Sequence, residues 1–348
     1  MKIRHTNHLL FLLSLASVAF AADPLQYQFS TVDISVPGAV TVWTLEDINN
    51  NNTILTNAKI GNLSKAVIAK TRSNPPRAVK VEVFGCNNVG STMATSINNQ
   101  GLIVGSCSDI KQTIEKGSGF VRAPNGKHIL LNIPGADHTL ATGLNDLNQV
   151  VGYYYTPYIQ GKSGLSRIHG FLWRNNRFYK IDFPLPNTYT RLWSINRQGK
   201  ILGDYVTFDP ITNETLVHRW FIYEQGNFIL DFPENLEYMG GPTITLTDIN
   251  NAGQIVVQRW NYGPEIDGVS IYKNGVFTPV RAFPPEWLFT TVRGVNDEGG
   301  FVGTYALFKG FDPEFGFPLY EFHGFAARAP VRWPTIKPIP EISILTRF

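Results

Sequence analysis

The sequence predicts an all-β fold built from six copies of one four-stranded unit, on three observations. The segments Asp47-Ile48-Asn49-Asn50, Ser96-Ile97-Asn98-Asn99, Gly143-Leu144-Asn145-Asp146, Ser194-Ile195-Asn196-Arg197, Asp248-Ile249-Asn250-Asn251 and Gly294-Val295-Asn296-Asp297 repeat a small or polar residue, an aliphatic and Asn. Their Asn residues, at 49, 98, 145, 196, 250 and 296, recur every 46 to 54 residues, the kind of period that marks a repeat architecture. A β-branched run follows, as in Gly101-Leu102-Ile103-Val104-Gly105 and Gly199-Lys200-Ile201-Leu202-Gly203. Composition agrees: 13% of residues are aromatic, 31 are glycine, and only 16% are charged against the roughly 25% usual for soluble proteins.

Each unit reads as strand, tight turn, strand, because Asn and Gly supply the positive φ of a short hairpin connection and the flanking aliphatics suit a buried strand. The recurring Asn is therefore assigned to turn chemistry. A third strand follows in His169-Gly170-Phe171-Leu172-Trp173, His218-Arg219-Trp220-Phe221-Ile222 and His323-Gly324-Phe325-Ala326. A fourth ends in Pro, as in Phe228-Ile229-Leu230-Asp231-Phe232-Pro233, which suits an edge strand that can spare an N–H. A unit of about 50 residues cannot bury both faces alone, and radial closure of six gives a six-bladed β-propeller with four antiparallel strands per blade. The last unit lacks a convincing fourth strand, whereas Val32-Asp33-Ile34-Ser35-Val36-Pro37 is a fourth strand without its first three. Residues 27–37 are thus expected to supply the outer strand of the last blade. The propeller then spans 22–328, and 329–348, with Pro330, Pro334, Pro338 and Pro340, is a tail.

These residues resemble a bacterial group, the probable extracellular repeat of the HAF family, named for a His-Ala/Gly-Phe motif. His169-Gly170-Phe171, His323-Gly324-Phe325 and the Asn-x-x-Gly-x-Ile-Val-Gly segments carry the resemblance over most of the chain; the first and fifth units lack His-Gly-Phe. The resemblance implies an exported repeat protein and no particular activity.

Residues 1–21 read as a Sec-type signal peptide: Lys2 and Arg4, an apolar run from Leu9 to Val18, and Ala19-Phe20-Ala21 as the cleavage site. The apolar run is about half the roughly 20 residues needed to span a bilayer. The expected location is secreted or periplasmic. Cys86 and Cys107, the two cysteines of the chain, are an even number and a candidate disulfide there. The formal charge of +3 falls to +1 without Lys2 and Arg4, giving no strong field for nucleic acid or an anionic membrane.

No residue is nominated as catalytic and no cofactor is expected. His169, His218 and His323 occupy one repeat position, and Asp33, Asp182 and Asp231 another, so both sets are assigned to structure. No nucleophile elbow, EF-hand loop or phosphate-binding Gly-rich loop is present. Asp47 and Asp248, on inner strands, are the candidates for a metal near the axis. The long connections are expected to share one face and to carry Tyr153, Tyr154, Tyr155, Tyr158, Tyr205, Arg259, Trp260, Tyr262, Tyr305, Phe308 and Phe311, a surface suited to stacking on sugars or anchoring a peptide. Three readings follow, the first two being a monomeric, non-enzymatic exported scaffold that binds a glycan or an extracellular protein, and a periplasmic or secreted hydrolase or lyase with a metal near the axis. A purely structural module is the third.

Overall fold

The computed structural model describes residues 19–20, 26–72, 77–86, 90–109, 117–157, 168–209, 211–212, 214–230, 237–238, 241–242, 244–259, 268–280, 283–313 and 315–329. All described elements are strands. After β1 (Ala19–Phe20) and β2 (Gln28–Thr31), the first unit comprises β3 (Ala39–Ile48), β4 (Thr53–Ile60), β5 (Leu63–Arg72) and β6 (Arg77–Phe84). The second comprises β7 (Gly90–Ile97), β8 (Ile103–Asp109), β9 (Gly117–Arg122) and β10 (His128–Leu131). The third has β11 (His138–Leu144), β12 (Val150–Tyr155), β13 (Ile168–Arg174) and β14 (Arg177–Ile181). The fourth has β15 (Thr188–Ile195), β16 (Ile201–Phe208), β17 (Thr215–Glu224) and β18 (Asn227–Ile229), followed by the ribbon β19 (Glu237–Tyr238) and β20 (Gly241–Pro242). The fifth has β21 (Ile244–Ile249), β22 (Ile255–Arg259), β23 (Gly268–Lys273) and β24 (Val276–Pro279), and the last has β25 (Leu288–Val295), β26 (Phe301–Phe311) and β27 (Pro318–Arg328).

The arrangement is that of a β-propeller. Four blades stand out as separate, fewer than the six expected. One reason is that β7 to β14 form a single eight-stranded sheet, joined by one parallel bridge between His138 of β11 and Gly117 of β9. β1 also adds to the fifth unit, parallel to β24. β2 pairs antiparallel with β27, from Gln28 opposite Arg328 to Thr31 opposite Phe325, so an N-terminal strand completes the last sheet. That strand falls within the expected 27–37 and its pairing runs on into Val32, whose N–H donates to the Gly324 carbonyl at 2.8 Å; Val32, Ile34 and Val36 bury alternate side chains in the core shared with β3.

The cores sit between consecutive units, each cluster drawing on two of them. Leu55 and Ile68 of the first unit pack with Ile97 and Phe120 of the second. Close approach is achieved by one recurrent device. Gly105, Gly152, Gly203 and Gly303 on the second strands lie opposite Phe120, Phe171, Phe221 and Phe325 on the third. All four rings are fully buried, and each lies within 2.9 Å of where a Cβ on its glycine would stand. In the first and fifth units the same register positions hold Thr56 opposite Val67 and Val257 opposite Ser270. Their missing phenylalanine is thus matched by a larger residue in place of glycine, which conserves volume as core packing requires. The glycine of His-Gly-Phe admits the neighbouring unit: Leu192 packs on Gly170 and Leu45 on Gly324.

Cys86 and Cys107 form a disulfide with Cα atoms 6.2 Å apart, tying the end of the first unit to β8. The closed loop corresponds to about 3 kcal/mol in the chain-entropy account.

Candidate functional site

The repeat Asn residues form a belt near the centre of the molecule. Each is buried, with 3 to 7% of its surface exposed. Each side-chain oxygen accepts a backbone N–H four residues on, from Thr53, Leu102, Gln149, Lys200, Gln254 and Gly300 at 2.8 to 3.0 Å, which closes the turn. The amide nitrogen then donates to the backbone carbonyl of the next repeat's Asn: Asn49 to Asn98 at 3.0 Å, Asn98 to Asn145 at 3.1 Å, Asn145 to Asn196 at 2.9 Å, Asn196 to Asn250 at 3.2 Å, and Asn250 to Asn296 at 2.9 Å. The last repeat returns to the first through Asp297, whose N–H donates to Asn50 Oδ1 at 2.8 Å and whose carboxylate accepts from Asn50 Nδ2 at 2.7 Å. Only Asn supplies both an acceptor and a donor at this length: Asp lacks the donor, and Gln is longer.

Asp47 and Asp248 lie just inside this belt. Asp47 Oδ1 accepts from Ile48 N at 2.7 Å, and its Oδ2 accepts from Ser96 Oγ and Ile97 N at 2.8 Å each. Asp248 Oδ1 accepts from Ser194 Oγ and, at 2.8 Å, from Ile249 N, while its Oδ2 accepts from Val295 N at 2.8 Å. Burial, together with the charge of Asp248, holds the Asp47 carboxyl well above the usual carboxylate range. Burial likewise pushes Asp248 up to about 6. Both carboxylates are committed to neighbouring repeats, and the space enclosed by the belt, about 50 Å³, is far below the 300 Å³ or more of an ordinary ligand pocket. Among the described residues no group of three or more His, Cys, Asp or Glu is arranged to hold a metal ion. The geometry of this pair is that of a fastener between repeats.

The recurring histidines find carboxylates. His169 Nδ1 lies 2.8 Å from Asp182 Oδ2, which also accepts from Lys180, and His323 Nδ1 lies 3.1 Å from Asp33 Oδ2. His218 departs from this pattern: its Nε2 meets Asp204 at 2.7 Å. Asp204, which the sequence did not single out, is a fully buried hub that also accepts from Arg191 and from Trp193 Nε1 at 2.8 Å. Burial alone would raise its pKa, but the His218 and Arg191 hydrogen bonds outweigh that and lower it. Asp231 lies outside the described residues.

The residues expected on loops divide into four groups. Tyr205 and Tyr305 are buried strand residues, each in flat contact with another ring at 3.7 Å, with Phe183 and Trp287 respectively. Tyr153, Tyr154 and Tyr155 are half-buried on β12, where Tyr153 meets Trp193 edge-on and Tyr154 leans on His169. Tyr158, Trp260 and Tyr262 lie outside the described residues, as does the side chain of Arg259 at the end of β22. Of those that are described, only Phe308 and Phe311 are exposed. They belong to the long β26–β27 hairpin, where Phe315, Phe317 and Phe322, which the sequence reading passed over, are 65 to 68% exposed as well. Phe308 and Phe311 meet edge to face at 5.2 Å, and Tyr320 lies between Phe308 and Phe289. The strand registers put this tip on the same end as the starts of the first strands, since Leu288 of β25 pairs with Ala306 as His138 of β11 pairs with Tyr155. The first unit has no such extension, with Ile60 directly paired to Leu63.

No protein-family model matches the chain, and no curated protein matches it. Among solved structures, similar chains include the polysaccharide lyase Uly1, at 9% identity and TM-score 0.45 over 83% of this chain and 77% of that one. A gluconolactonase from Xanthomonas campestris is similar at 9% identity and TM-score 0.38, over 89% and 98%. A luciferin-regenerating enzyme follows at 9% identity and TM-score 0.31, over 82% and 76%.

Proposed function

We propose that the protein is an exported, non-enzymatic scaffold that binds a glycan on the face bearing its long connections. The observation that carries this reading is the β26–β27 hairpin, whose tip exposes Phe308, Phe311, Phe315 and Phe317 beside the exposed Phe322. Exposed contiguous aromatics of this kind mark interaction sites, and flat rings stack on sugar faces. The scaffold is a six-bladed propeller of HAF-type repeats spanning 22–328. The belt of six Asn turns that passes from Asn49 to Asp297 and back to Asn50 supports that count. The disulfide supports an oxidising compartment, as expected once residues 1–21 are removed as a signal peptide.

The test is a glycan array and a pull-down probed with the secreted chain and with a Phe311→Ala/Phe317→Ala variant. Glycan binding that falls at least tenfold in the variant is expected; an identified glycan interaction untouched by the variant refutes the face. Capture of a protein alone would replace the glycan by a peptide partner, and activity abolished by chelation would favour the hydrolase or lyase reading.

A further inference from the structure

A second feature lies on the fourth unit, toward the end of the molecule that bears the long connections. Register sets Tyr189, Val206 and His218 in one cross-strand row of β15, β16 and β17, and Arg191, Asp204 and Trp220 in the next row on the same face. The preceding unit adds Tyr153 of β12, which meets Trp193 edge-on at 5.6 Å and Tyr155 at 6.0 Å. The fully buried Asp204 carboxylate anchors this cluster, and its acceptor capacity is spent. Its Oδ1 accepts from Arg191 Nε at 3.1 Å and from Trp193 Nε1 at 2.8 Å, while its Oδ2 accepts from Arg191 Nη2 and from His218 Nε2 at 2.7 Å. Four donors fill the lone-pair sites of a carboxylate, and the guanidinium matches its charge.

What the cluster still offers is donors. Arg191 commits its Nε hydrogen and one Nη2 hydrogen to Asp204; both Nη1 hydrogens and the second on Nη2 make no hydrogen bond among the described residues. The guanidinium is held in place by Asp204 and by the rings of Tyr189 and Trp193, whose centroids lie 5.1 and 5.0 Å from its central carbon. The hydroxyls of Tyr153 and Tyr189 are likewise unpartnered among the described residues. Burial pushes Tyr153 up to about 12 and raises Tyr189 too, so both stay protonated at neutral pH. These groups are open to the surface: the Arg191 side chain is 25% exposed, and both tyrosines are half-buried. The charges acting on Tyr189 come from Arg191, Asp204 and Tyr155, so the one carboxylate among them is already spent.

We propose that this cluster is a subsite for a uronate, a carboxylate-bearing sugar unit of an acidic glycan. Arg191 takes the sugar carboxylate through its free Nη hydrogens, a charge-assisted contact that a planar guanidinium makes well. The Tyr153 and Tyr189 hydroxyls donate to the same carboxylate or to neighbouring sugar oxygens, and the Tyr155 and Tyr189 rings give apolar contact to the sugar ring. Because Asp204 fixes Arg191 and Trp193 before any ligand arrives, little ordering cost remains on binding. An amino sugar is disfavoured, since its ammonium would meet donors and no unspent carboxylate. This inference rests on the glycan reading above but assigns a different site, so the two fail separately.

The experiment is isothermal titration of the full chain with disaccharides of galacturonate, glucuronate and mannuronate, their methyl esters, the matching neutral disaccharides and a capped diglutamate peptide. It is repeated on Arg191→Lys, Tyr153→Phe/Tyr189→Phe and Phe311→Ala/Phe317→Ala. Expected is binding of at least one uronate, at least tenfold weaker binding of its methyl ester and neutral counterpart, and at least tenfold weakening by Arg191→Lys and by the tyrosine pair. The tyrosine pair loses two unpartnered hydroxyls and should melt like wild type, so loss of binding in it is not loss of fold; the methyl ester tests the carboxylate with no variant at all. Acid and ester binding alike, or uronate binding that survives both site variants, overturns the subsite. Binding of neutral sugars alone, lost with Phe311 and Phe317, overturns the subsite and leaves the aromatic face standing. Diglutamate bound in place of every uronate overturns the sugar assignment in favour of a peptide carboxylate, and no binding of any sugar or peptide overturns both readings.

Discussion

Asn98→Asp is the sharpest test of the belt, because it changes one atom's chemistry and keeps the shape. In the native protein Asn98 Oδ1 accepts from Gln100 N at 3.1 Å and Leu102 N at 2.9 Å, and Nδ2 donates to the Asn145 carbonyl at 3.1 Å. Aspartate preserves both accepted bonds and sets a second oxygen against that carbonyl, at a residue only 5% exposed. Leaving the carbonyl unsatisfied costs about 1–3 kcal/mol, and burying the added charge adds to this, so a loss of roughly 3 kcal/mol or more is expected at pH 7.5. The new carboxyl should titrate above its unfolded value of about 3.9, since only the protonated form can donate to the carbonyl. The deficit is therefore full above the raised folded pKa and shrinks as pH falls through it. Urea unfolding of the secreted chain at several pH values reads both effects from midpoints at constant slope. A variant within 0.5 kcal/mol of wild type at pH 7.5, or a deficit independent of pH, would show that the amide donor does not join the repeats.

Three other perturbations follow. Asp248, raised to about 6 by burial, favours folding most when protonated; its contribution is present below the unfolded value near 3.9 and lost as pH rises through about 6, on the order of 3 kcal/mol in all. The stability of wild type relative to Asp248→Asn should accordingly fall between pH 4 and pH 7 in urea titrations, and a flat difference would refute the burial argument. Gly294→Ala should cost more than 3 kcal/mol, because the added Cβ would overlap the Asp47 carboxylate and come within 2.5 Å of its Cα; a melting temperature equal to wild type would contradict this packing. Cys86→Ser/Cys107→Ser should lower stability by about 3 kcal/mol, and mass spectrometry after alkylation without reductant should find both native thiols unmodified; full labelling would remove the bridge.

Much of the architecture was legible because turn chemistry is local. An Asn four residues before a strand resumes, and a Gly where φ turns positive, as at Gly101, Gly199, Gly253 and Gly299, leave their mark at a fixed spacing in any one repeat. Periodicity says nothing, however, about which way a long aromatic side chain turns. Tyr205 and Tyr305 follow their second-strand glycines by two residues, in stretches that read as exposed connections, yet β16 and β26 continue through them and the neighbouring outer segment covers their rings. The exposed Phe315 and Phe317 were passed over because nothing local separates a ring that will be covered from one that will not.

By itself, then, the sequence determined the repeat, its strand order and turns, the candidate cysteine pair and the need for an N-terminal strand at the end of the chain. Each is fixed by short-range sterics and hydrogen bonding, or by counting strands. Tertiary structure alone decided that the Asn amide fastens one repeat to the next, that Asp47 and Asp248 are held by backbone N–H groups of neighbouring repeats, and that the His323 imidazole meets the Asp33 carboxylate. These depend on groups far apart in the chain, Asp297 with Asn50 and His323 with Asp33 among them, which meet only when the two ends of the chain are brought together.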